Sequence, residues 1–181
     1  LEQRLHTQSR HQRIVELGRI AHGSAFIARS NQADEIAVTR AMRAAGVDAF
    51  ARRRIDTLSG GERARVMLAR ALAVGADILL CDEPTARLDP YHQLRVMEVL
   101  RDASRAGVCV VVVVHDLTLA SRYCDRLVLL ANGQIAAAGA PATVLSEQML
   151  AAVYGVSVAR VTRDGETFVV PTGRLVSGHG D

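Results

Sequence analysis

Three short clusters in this 181-residue sequence hold side chains that could do chemistry. The first is Leu58-Ser59-Gly60-Gly61-Glu62, set directly before a run with helical spacing. Two glycines let a ligand come close to the backbone. The unpaired N–H groups and partial positive charge of a helix N-terminus suit a phosphate. The Ser59 hydroxyl adds a donor, although Ser59 reads equally well as an ordinary helix cap. The second cluster is Ile78-Leu79-Leu80-Cys81-Asp82-Glu83-Pro84, an apolar strand ending in two carboxylates. Ligands of open α/β sheets sit at that carboxyl edge. There Asp82 suits Mg²⁺, directly or through water, and Glu83, pointing the other way, suits activation of a water as general base. A solvated strand-to-loop junction is the plainer reading of the same residues. The third is His115, which follows a second apolar run and precedes Asp116. If the two runs are neighbouring parallel strands, His115 reaches the same edge as Asp82 and Glu83, where it could contact a terminal phosphate. A lone histidine is otherwise a structural polar residue.

The elements that must position these groups are legible from periodicity. Residues 14–54 read as helices, with Asn31 as a cap and Gly46 as a stop. Residues 60–74 form a helix with one basic and one aliphatic face, and 77–82 a short apolar strand. Residues 90–105 are an amphipathic helix, with Leu94, Met97 and Leu100 on one side and Pro90 in its first turn. The Val-rich run 108–114 fits a strand covered on both faces, as in a parallel sheet. A helix over 117–123 follows, then a hairpin of 126–130 and 134–138 across Asn132-Gly133. Short helices at 141–145 and 147–154 precede a second hairpin within 158–171, turning at Asp164-Gly165. From Gly173 onward the chain is expected to fray. The strand–helix–strand alternation predicts an α/β domain with a mainly parallel sheet.

Composition narrows the classes. Hydrophobic residues are 49% and charged residues 23%, which excludes a disordered chain. Aromatics are only 3% with no Trp, so the core must be aliphatic. The formal charge of +3 is spread out, with one tight run at Arg52-Arg53-Arg54, and gives no signal for nucleic acid. All 22 basic residues are Arg, and there is no Lys. Cys81, Cys109 and Cys124 make no CxxC pair and no metal-ligand spacing, so they read as buried free thiols of a reducing compartment. Glu2, Arg4 and His6 do not fit a signal peptide. The apolar run 108–114 is far short of the ~20 residues of a membrane helix. A soluble chain is expected, with any membrane link made through a partner.

Taken together, the clusters resemble ABC-transporter ATP-binding subunits. Leu58-Ser59-Gly60-Gly61-Glu62 resembles the signature motif, with Glu62 in place of the usual Gln. The strand ending in Asp82-Glu83 looks like Walker B, and Thr85-Ala86-Arg87-Leu88-Asp89 like the D-loop, with Arg87 where a small residue is usual. Val114-His115-Asp116-Leu117 resembles the H-loop. The resemblance runs over residues 15–161. It implies that Ser59, Gly60 and Gly61 contact the γ-phosphate of ATP held by the opposite subunit, with Glu62 part of the same nucleotide-binding motif. It further implies that Asp82 supports Mg²⁺, Glu83 activates water, Asp89 communicates across the dimer and His115 holds the γ-phosphate. Leu17-Gly18-Arg19-Ile20-Ala21-His22 and the segment 149–156 are similar to importers of iron-siderophores, haem and cobalamin, and Gln3 matches their Q-loop glutamine.

The fold implied is a P-loop-NTPase-like ABC ATPase domain, a mainly parallel sheet with a helical subdomain, truncated at its N-terminus. The divisions expected are 1–57, a helical subdomain with a Q-loop remnant; 58–162, the catalytic subdomain; and 163–181, a C-terminal hairpin and tail. The implied function is the ATP-hydrolysing subunit of an importer of metal chelates, on the cytoplasmic face of the inner membrane. Its implied partners are a second copy and transmembrane permease subunits, with no nucleic acid. Alternatives are a soluble non-transport ABC ATPase and a non-catalytic remnant. No Gly-x-x-x-x-Gly-Lys-Ser/Thr loop is present, since there is no Lys. The chain alone is therefore expected to be inactive and to leave an apolar face of its two strands open.

Overall fold

The computed structural model describes residues 10–22, 32–51 and 53–175, which form two compact units, Leu1–Val113 and Val114–Asp181. The first unit holds α1 (Arg10–Glu16), a 3₁₀ turn (Leu17–His22), α2 (Gln32–Ala44), α3 (Gly60–Ala73), β1 (Ile78–Asp82), α4 (Pro90–Arg105) and β2 (Cys109–Val113). Helices α1, α2 and α4 all pack on α3. The core that α1, α2 and α3 share is Val15, Val38, Ala41, Met42, Ala45, Val47, Leu58, Val66, Ala69 and Ala73, the aliphatic core that the composition demanded.

Local chemistry sets the ends of these helices. Gly46 takes φ +61 after α2, its N–H donates to Arg43 O (3.0 Å), and Val47 N–H donates to Met42 O (2.9 Å). This pair of bonds closes the helix through a left-handed residue that glycine adopts without strain. The far end of α3 is held from outside. Arg19 donates from Nη1 to the carbonyls of Ala73 and Val74 (both 3.0 Å) and from Nε to Asp34 Oδ1 (2.8 Å). Asp34 is almost fully buried, so this ion pair satisfies both a buried charge and two open helix carbonyls. Gly18 lies so close to α3 that a methyl there would collide with the Arg70 carbonyl.

Strands β1 and β2 pair in parallel, from Ile78↔Cys109 to Asp82↔Val113, joined by the crossover α4 that a parallel pair requires. Their burial alternates. Ile78, Leu80, Val111 and Val113 are 60%, 74%, 52% and 49% exposed and share one face of the pair. The Val-rich run thus departs from the expected strand covered on both faces. Apolar composition reports what a strand tolerates, not what lies over it. The open apolar face itself was expected. Cys109 is exposed on that face, a correction to the reading of three buried thiols; Cys81 and Cys124 are half-buried, and none of the three is in a disulfide. Burial pushes the Cys81 thiol up from its ordinary pKa.

The second unit holds α5 (Leu117–Tyr123), β3 (Leu127–Ala131), β4 (Gln134–Gly139), α6 (Pro141–Val144), α7 (Glu147–Tyr154), β5 (Val156–Arg163) and β6 (Glu166–Arg174). Both hairpins turn through two left-handed residues, Asn132 and Gly133 (φ 50 and 74) and Asp164 and Gly165 (φ 52 and 79). Such turns match the twist of antiparallel strands. The second hairpin is docked, since Thr118 Oγ1 donates to Val169 O (2.9 Å) and Arg122 Nε to Glu166 Oε2 (2.7 Å). Leu175 N–H donates to Gly155 O (2.7 Å), so β6 runs through Gly173 and Arg174, where fraying was expected.

Two of the three strand pairs are therefore antiparallel, and the parallel pairing is confined to β1–β2 among the described residues. Two-residue turns can join only antiparallel neighbours, and α4 is the one helix that bridges paired strands. The boundary between the units falls in the chain at Val113/Val114. The helices before residue 57 share their core with α3, and the last hairpin packs on α5.

Candidate active site

At the start of α3, Ser59 leaves the helix in an extended conformation (φ −62, ψ 165) and caps it. Its Oγ accepts from Glu62 N–H (3.2 Å), and Glu62 Oε2 accepts from Ser59 N–H (2.9 Å), a reciprocal pair that satisfies two open helix donors. Arg53 donates from Nη1 to the other Glu62 oxygen (2.8 Å) and from Nη2 to Thr57 O (2.8 Å). The Ser59 backbone N–H, with help from Arg53, holds the Glu62 carboxyl below its ordinary pKa. The two readings of Ser59 are compatible, because an accepting hydroxyl oxygen keeps its own hydrogen to donate. Arg53 also offsets the negative charge that Glu62 would otherwise present to an incoming phosphate.

The glycine pair divides. Gly60 is exposed, and a side chain there would meet nothing within 4 Å, so the first turn is open to a ligand. Gly61 is buried, and a methyl there would fall into the imidazole of His92 on α4. Gly60 thus faces open space on its side-chain side, and Gly61 faces His92. Successive helix residues point about 100° apart, so adjacent glycines face different neighbours.

At the end of β1, Asp82 is exposed and paired with Val113. Glu83 N–H continues the ladder to Val113 O (3.1 Å), and Glu83 then turns to φ 45. Left-handed backbone at a non-glycine residue costs about 1–3 kcal/mol and concentrates at working sites. The loop beyond is folded on itself. Ala86 N–H donates to Glu83 O (3.0 Å), Leu88 N–H and Gln93 Nε2 both donate to Thr85 O (3.4 Å), and Thr85 is buried. Asp89 caps α4 ahead of Pro90, accepting from His92 N–H (3.0 Å) and from His92 Nδ1 (2.8 Å). The His92 N–H, then its imidazole, lowers the Asp89 pKa.

His115 is exposed and lies in the second unit, directly before Asp116, which caps α5 by accepting from Leu119 N–H (2.8 Å). Gln3 lies outside the described residues. The structure thus brings Asp82 and Glu83 together at one strand end, and joins Gly61 to Asp89 through His92. His92 escaped the sequence reading, although a histidine three residues after a capping Asp is a readable signal. Arg53 and Arg19 left no such signal, because their partners are set by tertiary contact.

Among the described residues no group of three or more His, Cys, Asp or Glu side chains could hold a metal. Asp82 alone fits Mg²⁺ in the way that ion is usually held, by one or two carboxylates together with phosphate oxygens and water. The open first turn of α3 fits a phosphate. A shallow concavity of about 520 Å³ on α2, lined by Gln32, Glu35, Ile36, Thr39, Arg40 and Arg43, includes none of these groups.

This arrangement matches known proteins. The family model described as ABC transporter covers residues 1–86. Residues 1–86 thus match the ABC transporter family, and the fold of the chain is that of the ABC ATPase domain. The chain is 49% identical over 147 residues to the cobalamin import ATP-binding protein BtuD of Halobacterium salinarum, covering 81% of this chain and 36% of that one. It is 51% identical over 140 residues to the hemin import ATP-binding protein HmuV of Rhodococcus jostii (76% and 48% covered). To the ferric enterobactin transport ATP-binding protein FepC of Escherichia coli it is 39% identical over 166 residues (90% and 61% covered). Among solved structures, the dimeric post-hydrolysis state of an ATP-binding cassette bound to ADP and Pi superposes with a TM-score of 0.61 at 30% identity, over 75% of this chain and 58% of that one. The chain thus spans between about a third and three fifths of these curated relatives.

Proposed function

We propose that this chain is the signature- and carboxylate-bearing part of an ATP-hydrolysing subunit that powers an ABC importer of metal chelates: cobalamin, haem or a ferric siderophore. The observation that carries the reading is Glu83, exposed at the end of the parallel pair and held at φ 45 directly after Asp82. The names of the relatives, each an import or transport ATP-binding protein, support the class of cargo.

ATP supplies the phosphoanhydride whose cleavage drives transport. Toward it, Ser59 and the backbone at Gly60 donate hydrogen bonds to the terminal phosphate of a nucleotide gripped by a second copy. Asp82 would support Mg²⁺, which when bound would offset the charge of the phosphates. Glu83 accepts the proton of the attacking water. His115 donates to the terminal phosphate, Asp89 carries contact across the dimer, and Gln3 meets the permease. Among the described residues no helix is long and apolar enough to cross a membrane, which suits a subunit that acts through permease partners on the cytoplasmic face of the inner membrane.

The test joins this chain to a portion bearing a Gly-x-x-x-x-Gly-Lys-Ser/Thr loop and reconstitutes it with its permease in vesicles. ATP-dependent uptake of cobalamin, hemin or a ferric siderophore is expected. Hydrolysis without uptake of any chelate would leave an ATPase of another role, and no hydrolysis would end the proposal. The isolated chain has no Lys to grip phosphates, so calorimetric titration with MgATP should show no micromolar binding.

A further inference from the structure

We infer that His92 is a positioning residue that clasps the loop after β1 to the first turn of α3. One face of its imidazole environment is Asp89, whose carboxylate takes the Nδ1 hydrogen (2.8 and 3.0 Å to the two oxygens) while also accepting the His92 backbone N–H. The other is Gly61, so close to the ring that a β-carbon there would overlap it. With a carboxylate as its partner, Nδ1 must carry the proton, which fixes the tautomer of the neutral ring. The ring side chain is only 18% exposed, whereas Asp89 is 61% exposed. The imidazole therefore fills the space between the two segments. Gly61 is glycine to admit this ring, and Gly60 is left as the residue open to a ligand.

The consequence deepens the proposed function and rests on it. The turn that presents Ser59 and Gly60 to a phosphate cannot shift without moving Asp89 and the loop that begins at Glu83. His92 touches no reacting atom in this scheme; it sets the position of the groups that do.

Two readouts test the clasp, one without nucleotide. In amide hydrogen exchange on this chain, His92→Ala is expected to speed exchange at Glu62 and Arg63, whose N–H groups donate to Ser59, by about tenfold, the scale of losing a hydrogen bond to a charged group. The amides of Leu68 to Ala73 should stay unchanged. His92→Asn keeps a donor near the Nδ1 position and should restore most of the protection. Equal exchange in all three proteins would overturn the inference. So would faster exchange along the whole of α3, which would mark a helix that is merely loosened. In the loop-bearing ATPase, His92→Ala is expected to lower kcat by about tenfold with KM within about twofold, because nucleotide is gripped elsewhere, and His92→Asn to recover kcat. Unchanged kcat, or a rise in KM alone, would overturn it. If the parent protein hydrolyses no ATP, the proposed function fails while the exchange pattern still decides the clasp.

Discussion

The first turn of α3 and the end of β1 both offer polar groups to a ligand, yet they are built in opposite ways. At α3 every local demand is met: Ser59 and Glu62 cap each other, and Arg53 answers the remaining carboxylate oxygen. At β1 the backbone is forced, with Glu83 at φ 45 and Arg87 at φ 59 in a loop of seven residues between Asp82 and Pro90. A binding turn gains from a relaxed, pre-formed shape that orders nothing further when ligand arrives. A group that must aim at a reacting water is held where the surrounding fold puts it, even against its own preference. The contrast separates residues kept for stability from residues kept for chemistry.

The sharpest way to break the contrast is Glu83→Gln in the loop-bearing ATPase. Steady-state phosphate release should fall by about 100-fold or more, the usual contribution of a general base, with nucleotide binding retained. Turnover at the parent rate would remove Glu83 from the chemistry. Glu83→Gly in this chain should act in the other direction on stability. Relief of about 1–3 kcal/mol of backbone strain, set against the extra unfolded-state entropy of about 0.5–1 kcal/mol for glycine, leaves a net gain of about 1 kcal/mol. A lower urea midpoint for this variant would show that the loop is not strained at Glu83. Ser59→Ala should cost about 1 kcal/mol, the worth of a lost helix cap, and lower the urea midpoint without altering the slope of the transition.

The smallest effect expected is a pH dependence. The folded Glu62 carboxyl is lowered by the Ser59 N–H and Arg53, so it binds its proton less readily folded than unfolded. Its contribution is present above the unfolded carboxylate value of about 4.3 and is lost as pH falls through the lower folded value. Thermal midpoints of the parent chain and Glu62→Gln should therefore converge on acidification through that window. A constant difference between them would separate the carboxylate from the cap.

Much of this was readable beforehand, for reasons that differ by element. The helix over 90–105 and both hairpin turns follow from local rules, an Asp-Pro start and Asn-Gly or Asp-Gly pairs, which depend on neighbours in sequence alone. The capping box at Ser59 and Glu62 is likewise local. Coverage of β2 was misjudged because burial depends on what lies over a strand. The role of Arg19 was missed because its partners, Asp34, Ala73 and Val74, are 15, 54 and 55 residues away.

The sequence by itself determined where chemistry could occur: the order of signature, strand-end carboxylates, loop and histidine, the aliphatic core, and the lack of any lysine to grip a phosphate. These are properties of residue type and spacing, which survive any packing. Only the tertiary structure decided that the His92 ring lies against Gly61, that Glu83 is bent into the left-handed region, and that the face of Leu80 and Val111 lies open. Each of those depends on which distant backbone comes within a few ångströms, and helix and strand periodicity carries no record of that distance.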